Sequence, residues 1–217
     1  MKKFAFILAG CGGLDGSEVH EALYSFLAVK QQGCEYVCFA EDKKQFVVKN
    51  YINNSDMIEE RNVLKESARL TRKNIKPLEE LNVNDFDVLF FPGGMGSAMN
   101  ISTYAINGED YDVSVKVQEV INNFKTANKP ICAVCIAPMI LAKTLTNIKI
   151  TTGNDTKTAN VIKANSNEYI KTNSGDICID ENNKIITSPC FMSTTNISVI
   201  YEEVYKVVEN AIRLCNS

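Results

Sequence analysis

The chain has 217 residues, of which 45% are hydrophobic, so it is long enough for one sizeable α/β domain. Its 23 basic and 26 acidic residues give a net charge of −3, and Lys and Arg are scattered rather than clustered, so we expect no nucleic-acid partner. The longest apolar runs, such as 4–9 and 88–92, are far shorter than the roughly 20 residues of a membrane helix, so we expect no membrane partner.

The chain begins with MKKFAFILAG, a basic start and an apolar run that a targeting peptide would also show. The run is short, lacks a cleavage site of the A-x-A type and leads directly into a glycine-rich turn, which is typical of a first buried strand. Several of the eight cysteines lie in strand-like runs, which indicates small buried side chains rather than a disulfide framework. We therefore expect a cytoplasmic protein.

Short β-rich runs alternate with helical patterns along almost the whole chain. The predicted elements are a strand at 3–9, a helix at 17–32, a strand at 36–40, a helix at 56–72, a strand at 86–91, a helix at 111–127, a strand at 131–134, a helix at 136–143, a strand at 148–152, a helix at 156–164, a hairpin of 177–180 with 184–187, and a closing helix at 196–214. This alternation predicts a single α/β domain over residues 1–217, with a mostly parallel, doubly wound sheet and helices on both faces.

Three loops follow predicted strands and carry unusual sequences. They are GCGGLDGSE at 10–18, PGGMGSAMN at 92–100 and CIAP at 135–138. Ligands of such sheets bind outside the carboxyl ends of the strands, so we expect the three loops to meet at one edge and to form the functional site.

The first loop is close to the dinucleotide-binding pattern G-x-G-x-x-G, but the last glycine is replaced by Asp15. The acids Asp15 and Glu18 would also repel a pyrophosphate, so we expect no nucleotide cofactor. One interpretation is a tight turn in which Asp15 or Ser17 caps the next helix. The other is that Glu18 and Glu21, three residues apart and therefore on one helix face, belong to a site.

Cys135 lies where a predicted strand turns into a predicted helix, a position that presents one side chain at the mouth of the sheet. The helix dipole is expected to lower the pKa of a thiol there and to favour thiolate. The alternative is that Cys135 is one more small buried residue. The spacing Cys132-x-x-Cys135 also suggests a redox pair or half a zinc site, but the chain has no second such pair or histidine cluster.

The run FFPGGMG places the pair Gly93 and Gly94 directly after a buried strand. Backbone N–H groups of Gly94 or Met95, together with that of Ile136, are predicted to bind an oxyanion formed at a carbon attacked by Cys135. The alternative interpretation is an ordinary turn.

His20 is the only histidine of the chain and lies two residues after Glu18. At that spacing on a helix the two side chains point about 200° apart, so we do not expect a triad of cysteine, histidine and acid around His20. A packed or supporting role is the favoured interpretation.

The stretches GCGGLDGSEVHEA, RNVLKESARLTR, FPGGMGSAMN, CIAP and KIITSPCFM together resemble the ElbB family, also called enhancing lycopene biosynthesis proteins or isoprenoid biosynthesis proteins with an amidotransferase-like domain. The resemblance runs from the first strand to the final helix. It implies the PfpI and class I glutamine amidotransferase-like superfamily, a flavodoxin-like sheet and a homodimer. It also implies that Cys135 is the nucleophile, Glu18 its acidic partner and Gly94 the oxyanion-hole glycine.

Two departures from the superfamily limit the activity that the resemblance implies. Its peptidases have a histidine directly after the nucleophile, where this chain has Ile136, and its glutaminases use a histidine late in the chain, where this chain has none. What remains implied is a weak glutathione-independent glyoxalase or deglycase that converts glyoxal to glycolate. Such an enzyme takes a small dicarbonyl substrate and needs no metal or organic cofactor. Glu21, His20 and Gly93 would support Cys135 and Glu18.

Two other classes of function remain open. In the first, the protein is a redox-sensing or regulatory protein in which Cys135 is oxidised and Cys190 serves as a resolving cysteine. In the second, the chain is an amidotransferase-like subunit that works with a synthase. The link to isoprenoid biosynthesis comes from the family name alone.

Overall fold

The computed structural model of the protein describes residues 1–216 and contains nine strands and seven α-helices in that range. In chain order these are β1 (Lys3–Ile7), α1 (Val19–Gln31), β2 (Glu35–Ala40), α2 (Val63–Thr71), β3 (Ile75–Pro77), β4 (Val88–Phe91), α3 (Tyr104–Asn107), α4 (Val115–Thr126), β5 (Ile131–Val134), α5 (Pro138–Thr144), β6 (Lys149–Ile150), α6 (Thr156–Ala164), β7 (Glu168–Tyr169), β8 (Cys178–Asp180), β9 (Ile185–Ser188) and α7 (Ile197–Leu214).

Seven strands form the main sheet in the order β3-β2-β1-β4-β5-β9-β8, and only β8 runs antiparallel to its neighbour. This is the flavodoxin-like, doubly wound sheet that the sequence predicts. The strand order reverses between β1 and β4, and doubly wound sheets bind their ligands at the carboxyl ends of the strands near such a reversal. β6 and β7 form a separate parallel pair.

The central strands are buried on both faces, which explains their continuous apolar sequences. Every residue of β4 (VLFF) and of β5 (ICAV) is buried. Phe6 on β1 lies 4.8 Å from Phe90 on β4 and 5.0 Å from Phe26 on α1, measured between ring centroids. This aromatic packing fixes α1 against the sheet and thereby positions the residues at its N-terminus.

Side-chain caps set where several helices begin. Asn62 accepts a hydrogen bond from the N–H of Lys65 at the start of α2, and Asn196 does the same for Ser198 at the start of α7. The predicted helix at 56–72 is therefore wrong in its first seven residues, because the chain is extended at Asn62 and only Val63–Thr71 is helical.

Residues 43–61 form an excursion from the sheet, and its last part, 56–61, lies where the first helical turns were predicted. Isolated bridges join Lys44 to Asn62 and Lys49 to Asp56, and the Tyr51 hydroxyl donates a hydrogen bond to Asp15 at 2.8 Å. The predicted strand at 148–152 is reduced to two residues outside the main sheet, and β3 was not predicted because three residues are too few for a strand pattern. Within residues 1–216, no helix combines the length and apolar character needed to cross a bilayer.

Candidate active site

Cys135 occupies the turn between β5 and α5 with a backbone φ of +61°. This left-handed conformation is uncommon for a residue other than glycine and costs about 1 kcal/mol or more, so the surrounding structure must hold it. The Cys135 N–H donates to the carbonyl of Ser188 on β9 at 2.8 Å, and the Ala137 N–H donates to the carbonyl of Val134 at 3.0 Å. The thiol is thereby fixed at the carboxyl edge of the sheet, as the sequence predicts for a strand-to-helix turn.

Backbone hydrogen bonds join the first two predicted loops at this edge. The N–H of Met95 donates to the carbonyl of Gly13 at 2.9 Å, and the N–H of Glu18 donates to the carbonyl of Gly93 at 2.9 Å. Gly94 has a φ of +95°, and a Cβ there would lie 2.4 Å from backbone atoms of the first loop. Only glycine therefore allows the first two loops to approach this closely.

The carboxyl group at the Cys135 sulfur belongs to Glu21, which is fully buried. The Glu21 carboxyl group lies beside the thiol, and its oxygens accept the N–H of Gly93 at 2.9 Å and that of Phe191 at 3.4 Å. A Cβ at Gly93 would lie 2.5 Å from Oε2 of Glu21 and 2.4 Å from Cβ of Cys135, so this glycine leaves room for the pair.

The resemblance implies Glu18 as the acidic partner of Cys135, but the carboxyl group beside the sulfur is that of Glu21. Glu18 is extended and caps α1, because its Oε2 accepts the N–H of Glu21 at 2.8 Å. Its side chain instead lines the cavity that opens above Cys135. Because Glu18 stands outside the helix, the expected divergence from His20 is also wrong, and Nδ1 of His20 lies 3.0 Å from Oε1 of Glu18.

Two backbone N–H groups, those of Gly94 and Ile136, lie at the Cys135 sulfur and favour its ionised form. These are the two groups that the sequence predicts for an oxyanion hole. They come from different loops, and both lie at the sulfur.

Burial has the largest effect on the pKa values of Glu21 and Cys135. Desolvation, helped by the negative charge of Glu18, raises the pKa of Glu21 from 4.5 to about 8. Burial and the charge of Glu21 likewise raise the pKa of the Cys135 thiol, against the smaller effect of the Gly94 and Ile136 N–H groups. The prediction of a lowered thiol pKa is therefore wrong, because desolvation outweighs the start of a helix only seven residues long. At neutral pH both groups are mainly protonated.

A second buried carboxylate, which the sequence analysis missed, lies behind this pair. Glu203 on α7 is fully buried and accepts hydrogen bonds from the N–H of Cys190 at 2.8 Å, from the N–H of Gly175 at 2.7 Å and from the Ser188 hydroxyl. These hydrogen bonds fix Cys190, and the following residue, Phe191, donates its N–H to Glu21. The signal that could have identified Glu203 is an acid on the apolar face of α7. That face is marked by Ile200, Val204 and Val207.

Cys190 is fully buried and adopts a φ of +42°. Burial and the negative charges of Glu21 and Glu203 raise the pKa of its thiol, and its sulfur lies 3.5 Å from the Ser188 hydroxyl. All eight cysteines are free thiols in the structure.

Above Cys135 lies a cavity of about 500 Å³. Glu18 and the exposed Lys157 contribute polar groups, and Asp155 and Thr158 form the cap of α6 through a 2.8 Å hydrogen bond. The rest of the wall consists mainly of apolar side chains, which are Leu14, Met95, Tyr104, Ile136, Phe191 and Met192.

The sheet is doubly wound, and a buried cysteine lies on a left-handed strand-to-helix turn with a glutamate beside its sulfur. These features define a class of α/β proteins with a cysteine at the candidate active site. Residues 12–196 match the DJ-1/PfpI family, and the chain belongs to this family. It is 35% identical to the human protein named glutamine amidotransferase-like class 1 domain-containing protein 3, mitochondrial, over 98% of this chain and 83% of that protein.

Two solved structures show how the fold is shared. An isoprenoid biosynthesis protein with an amidotransferase-like domain from Ehrlichia chaffeensis has a TM-score of 0.90 and 28% identity, over 97% of this chain and 99% of its own. Glyoxalase III from Candida albicans has a TM-score of 0.64 and 17% identity, over 98% of this chain and 97% of its own. The second similarity concerns the fold alone.

Proposed function

We propose that the protein is a glutathione-independent glyoxalase or deglycase-type enzyme, in which Cys135 attacks reactive dicarbonyls and Glu21 transfers protons. The observation that carries this proposal is the environment of one sulfur atom. It contacts the carboxyl group of Glu21 and the N–H groups of Gly94 and Ile136, and it faces a cavity.

The first step is proton transfer from the Cys135 thiol to ionised Glu21, followed by attack of the sulfur on an aldehyde carbon. The carbonyl oxygen gains negative charge as the C–S bond forms, and the N–H groups of Gly94 and Ile136 stabilise that charge. Glu21 then gives the proton to this oxygen, which forms the hemithioacetal and leaves Glu21 ionised for the next step. A carboxyl group that exchanges its proton near pH 8 suits this step, because it is neither a strong acid nor always ionised.

In the second step, Glu21 removes the hydrogen from the former aldehyde carbon as a proton, and the neighbouring carbonyl carbon receives a proton through an enediol. The first carbon is oxidised to a thioester and the second is reduced to an alcohol, so no external oxidant is required. Water then cleaves the thioester, which releases the hydroxy acid and restores the thiol. Glyoxal plus water therefore gives glycolate.

Glu18 and His20 complete the proposal at the mouth of the cavity. Glu18 joins the N–H of Glu21 to the His20 ring, and the side chain of His20 is half exposed, so this pair can exchange protons with solvent. The only histidine of the chain thus contacts Glu18, an arrangement that supports neither the cysteine–histidine pair of a peptidase nor a late glutaminase histidine.

The finer assignments of the sequence analysis belong to the same proposal. They are membership of the ElbB group within the DJ-1/PfpI family, a homodimeric state and a cytoplasmic location. The name of the Ehrlichia relative supports the first of these.

The test is glycolate formation from glyoxal without glutathione, measured for the wild type, Cys135→Ala and the matched control Cys215→Ser. Cys215 is half-buried at the C-terminal end of α7, and its thiol contacts the carbonyl of Asp87 outside the site. We expect turnover in the wild type and the control and a loss of at least 100-fold in Cys135→Ala. Equal rates in all three proteins would refute the proposal. The redox-sensing alternative would then predict selective oxidation of Cys135 by dilute peroxide, read by mass spectrometry.

A further inference from the structure

Two residues of the site have a left-handed backbone that residues other than glycine rarely adopt. Cys135 has a φ of +61° and Cys190 a φ of +42°. Such conformations cost free energy and persist only where the surrounding structure fixes them. Cys135 carries the thiol, and Cys190 precedes Phe191, whose N–H donates to Glu21 at 3.4 Å. The contacts that fix these two conformations therefore determine how the sulfur and the carboxyl group meet.

The conformation of Cys190 is fixed by Glu203 on α7. The Oε2 atom of Glu203 accepts the N–H of Cys190 at 2.8 Å, and its Oε1 atom accepts the N–H of Gly175 at 2.7 Å. The Ser188 hydroxyl is a third donor to the same carboxyl group, which is fully buried. Hydrogen bonds to a carboxylate are stronger than those to a neutral acceptor, and their loss would leave buried donors unpaired. These three bonds therefore hold the chain at Cys190 to α7.

A second branch of the same contacts reaches Cys135. Ser188 is the last residue of β9, and its hydroxyl donates to Glu203 while its carbonyl accepts the N–H of Cys135 at 2.8 Å. One residue therefore separates Glu203 from the backbone of Cys135, and one residue, Cys190, separates it from the N–H that binds Glu21. A single buried carboxyl group is connected in this way to both members of the Cys135–Glu21 pair.

We propose that Glu203 is a positioning residue, which holds the backbone at Ser188 and Cys190 so that the Cys135 sulfur and the Glu21 carboxyl group meet. For its effect on turnover this inference rests on the proposed function. Glu203 is fully buried, so a substrate in the cavity does not touch it. It acts only through the backbone, and its replacement should lower kcat while KM changes little.

The first test is amide hydrogen exchange, followed residue by residue by NMR. Glu203→Met keeps the side-chain length on the apolar face of α7 and removes both acceptor oxygens. The amides of Cys135, Cys190 and Phe191 should exchange roughly 10-fold faster or more, relative to the amides of β4. Global unfolding accelerates all of these amides together, so the ratio to β4 isolates a local change. Glu202→Gln, at the exposed neighbouring carboxyl on α7, is the matched control and should leave the ratio unchanged.

Two milder variants keep the test decisive if Glu203→Met does not fold. Ser188→Ala removes only the hydroxyl branch, so the Cys135 amide should exchange roughly 3-fold faster or more relative to β4. The Cys190 amide, which still donates to Glu203, should change less in that variant. Glu203→Gln keeps one acceptor oxygen and should accelerate at least one of these two amides. Unchanged ratios in both variants would overturn the inference.

Glyoxal turnover gives the second readout and separates the two proposals. Under conditions where urea unfolding shows Glu203→Met to be fully folded, kcat for glycolate formation should fall roughly 10-fold or more, and KM should change less than about 3-fold. If the wild type forms no glycolate that depends on Cys135, the proposed function is wrong, and the exchange ratios still test the positioning. If glycolate forms and folded Glu203→Met keeps the wild-type kcat, Glu203 serves stability alone and the inference is wrong.

Discussion

Replacing Glu21 with glutamine removes the carboxyl group that is buried against the Cys135 sulfur, and the change should be visible in stability before any activity is measured. The pKa of Glu21 is about 8 in the folded protein and 4.5 in its ordinary environment. Between these pH values the folded state holds a proton that the unfolded state has lost. The free energy of unfolding therefore decreases as the pH rises, by about 1.4 kcal/mol per pH unit.

From pH 5 to pH 8 the contribution of Glu21 is a loss of roughly 3 kcal/mol of stability. Urea unfolding of the wild type and Glu21→Gln at both pH values measures it, since the variant lacks this titration. Any cost of the altered hydrogen bonds to Gly93 and Phe191 is the same at each pH and cancels in the comparison. Glu209→Gln, at an exposed carboxyl on α7, should keep the wild-type pH dependence. If the free energy of unfolding changed equally between pH 5 and pH 8 in the wild type and in Glu21→Gln, the raised pKa of Glu21 would be refuted.

Three other predictions follow from the same contacts. Glu21→Gln should lower glyoxal turnover at least 100-fold and Glu18→Gln less than 10-fold, because only Glu21 contacts the thiol; the reverse order in steady-state rates would contradict the geometry. The rise of Cys135 alkylation by iodoacetamide with pH should shift to lower pH in Glu21→Gln, because the negative charge of Glu21 raises the pKa of the thiol and alkylation requires the thiolate; an unchanged profile or a shift to higher pH would count against the pairing. Gly94→Ala should destabilise the fold by about 2 kcal/mol more than Gly33→Ala in thermal unfolding, because both glycines have positive φ but only Gly94 has backbone atoms against its Cβ position; equal losses would argue against the close approach of the loops.

The sheet was predictable because its central strands are continuous apolar runs and the helices between them have clear periodicity. β5 and α6 were predicted at their observed bounds, 131–134 and 156–164. The structure of residues 43–61 was not predictable. The helical pattern of α2 was extended backwards into this segment, which is instead held by the hydrogen bond of Tyr51 to Asp15 and by the bridge of Lys44 to Asn62. Such long-range contacts leave no local periodicity.

The meeting of Cys135 with the N–H groups of Gly94 and Ile136 was predictable, since each follows a buried strand, and the binding of an oxyanion there belongs to the proposed function. The identity of the carboxyl partner was not, because Glu18 and Glu21 differ only in which of them lies inside the helix. The helix begins at Val19, two residues after the predicted start, which makes Glu18 the cap and directs Glu21 to the sulfur. The thiol pKa was predicted with the wrong sign, because burial depends on the packing of all three loops around Cys135.

The central claim is that the Cys135 sulfur carries the substrate through an internal oxidation and reduction that ends in a thioester. The most direct measurement is to quench the protein with acid during glyoxal turnover, remove free glyoxal, treat the protein with hydroxylamine and detect glycolohydroxamate by mass spectrometry. We predict glycolohydroxamate from the wild type and Cys215→Ser, and none from Cys135→Ala or Glu21→Gln. Its absence from a wild-type protein that is forming glycolate, or equal amounts from Cys135→Ala, would contradict the account.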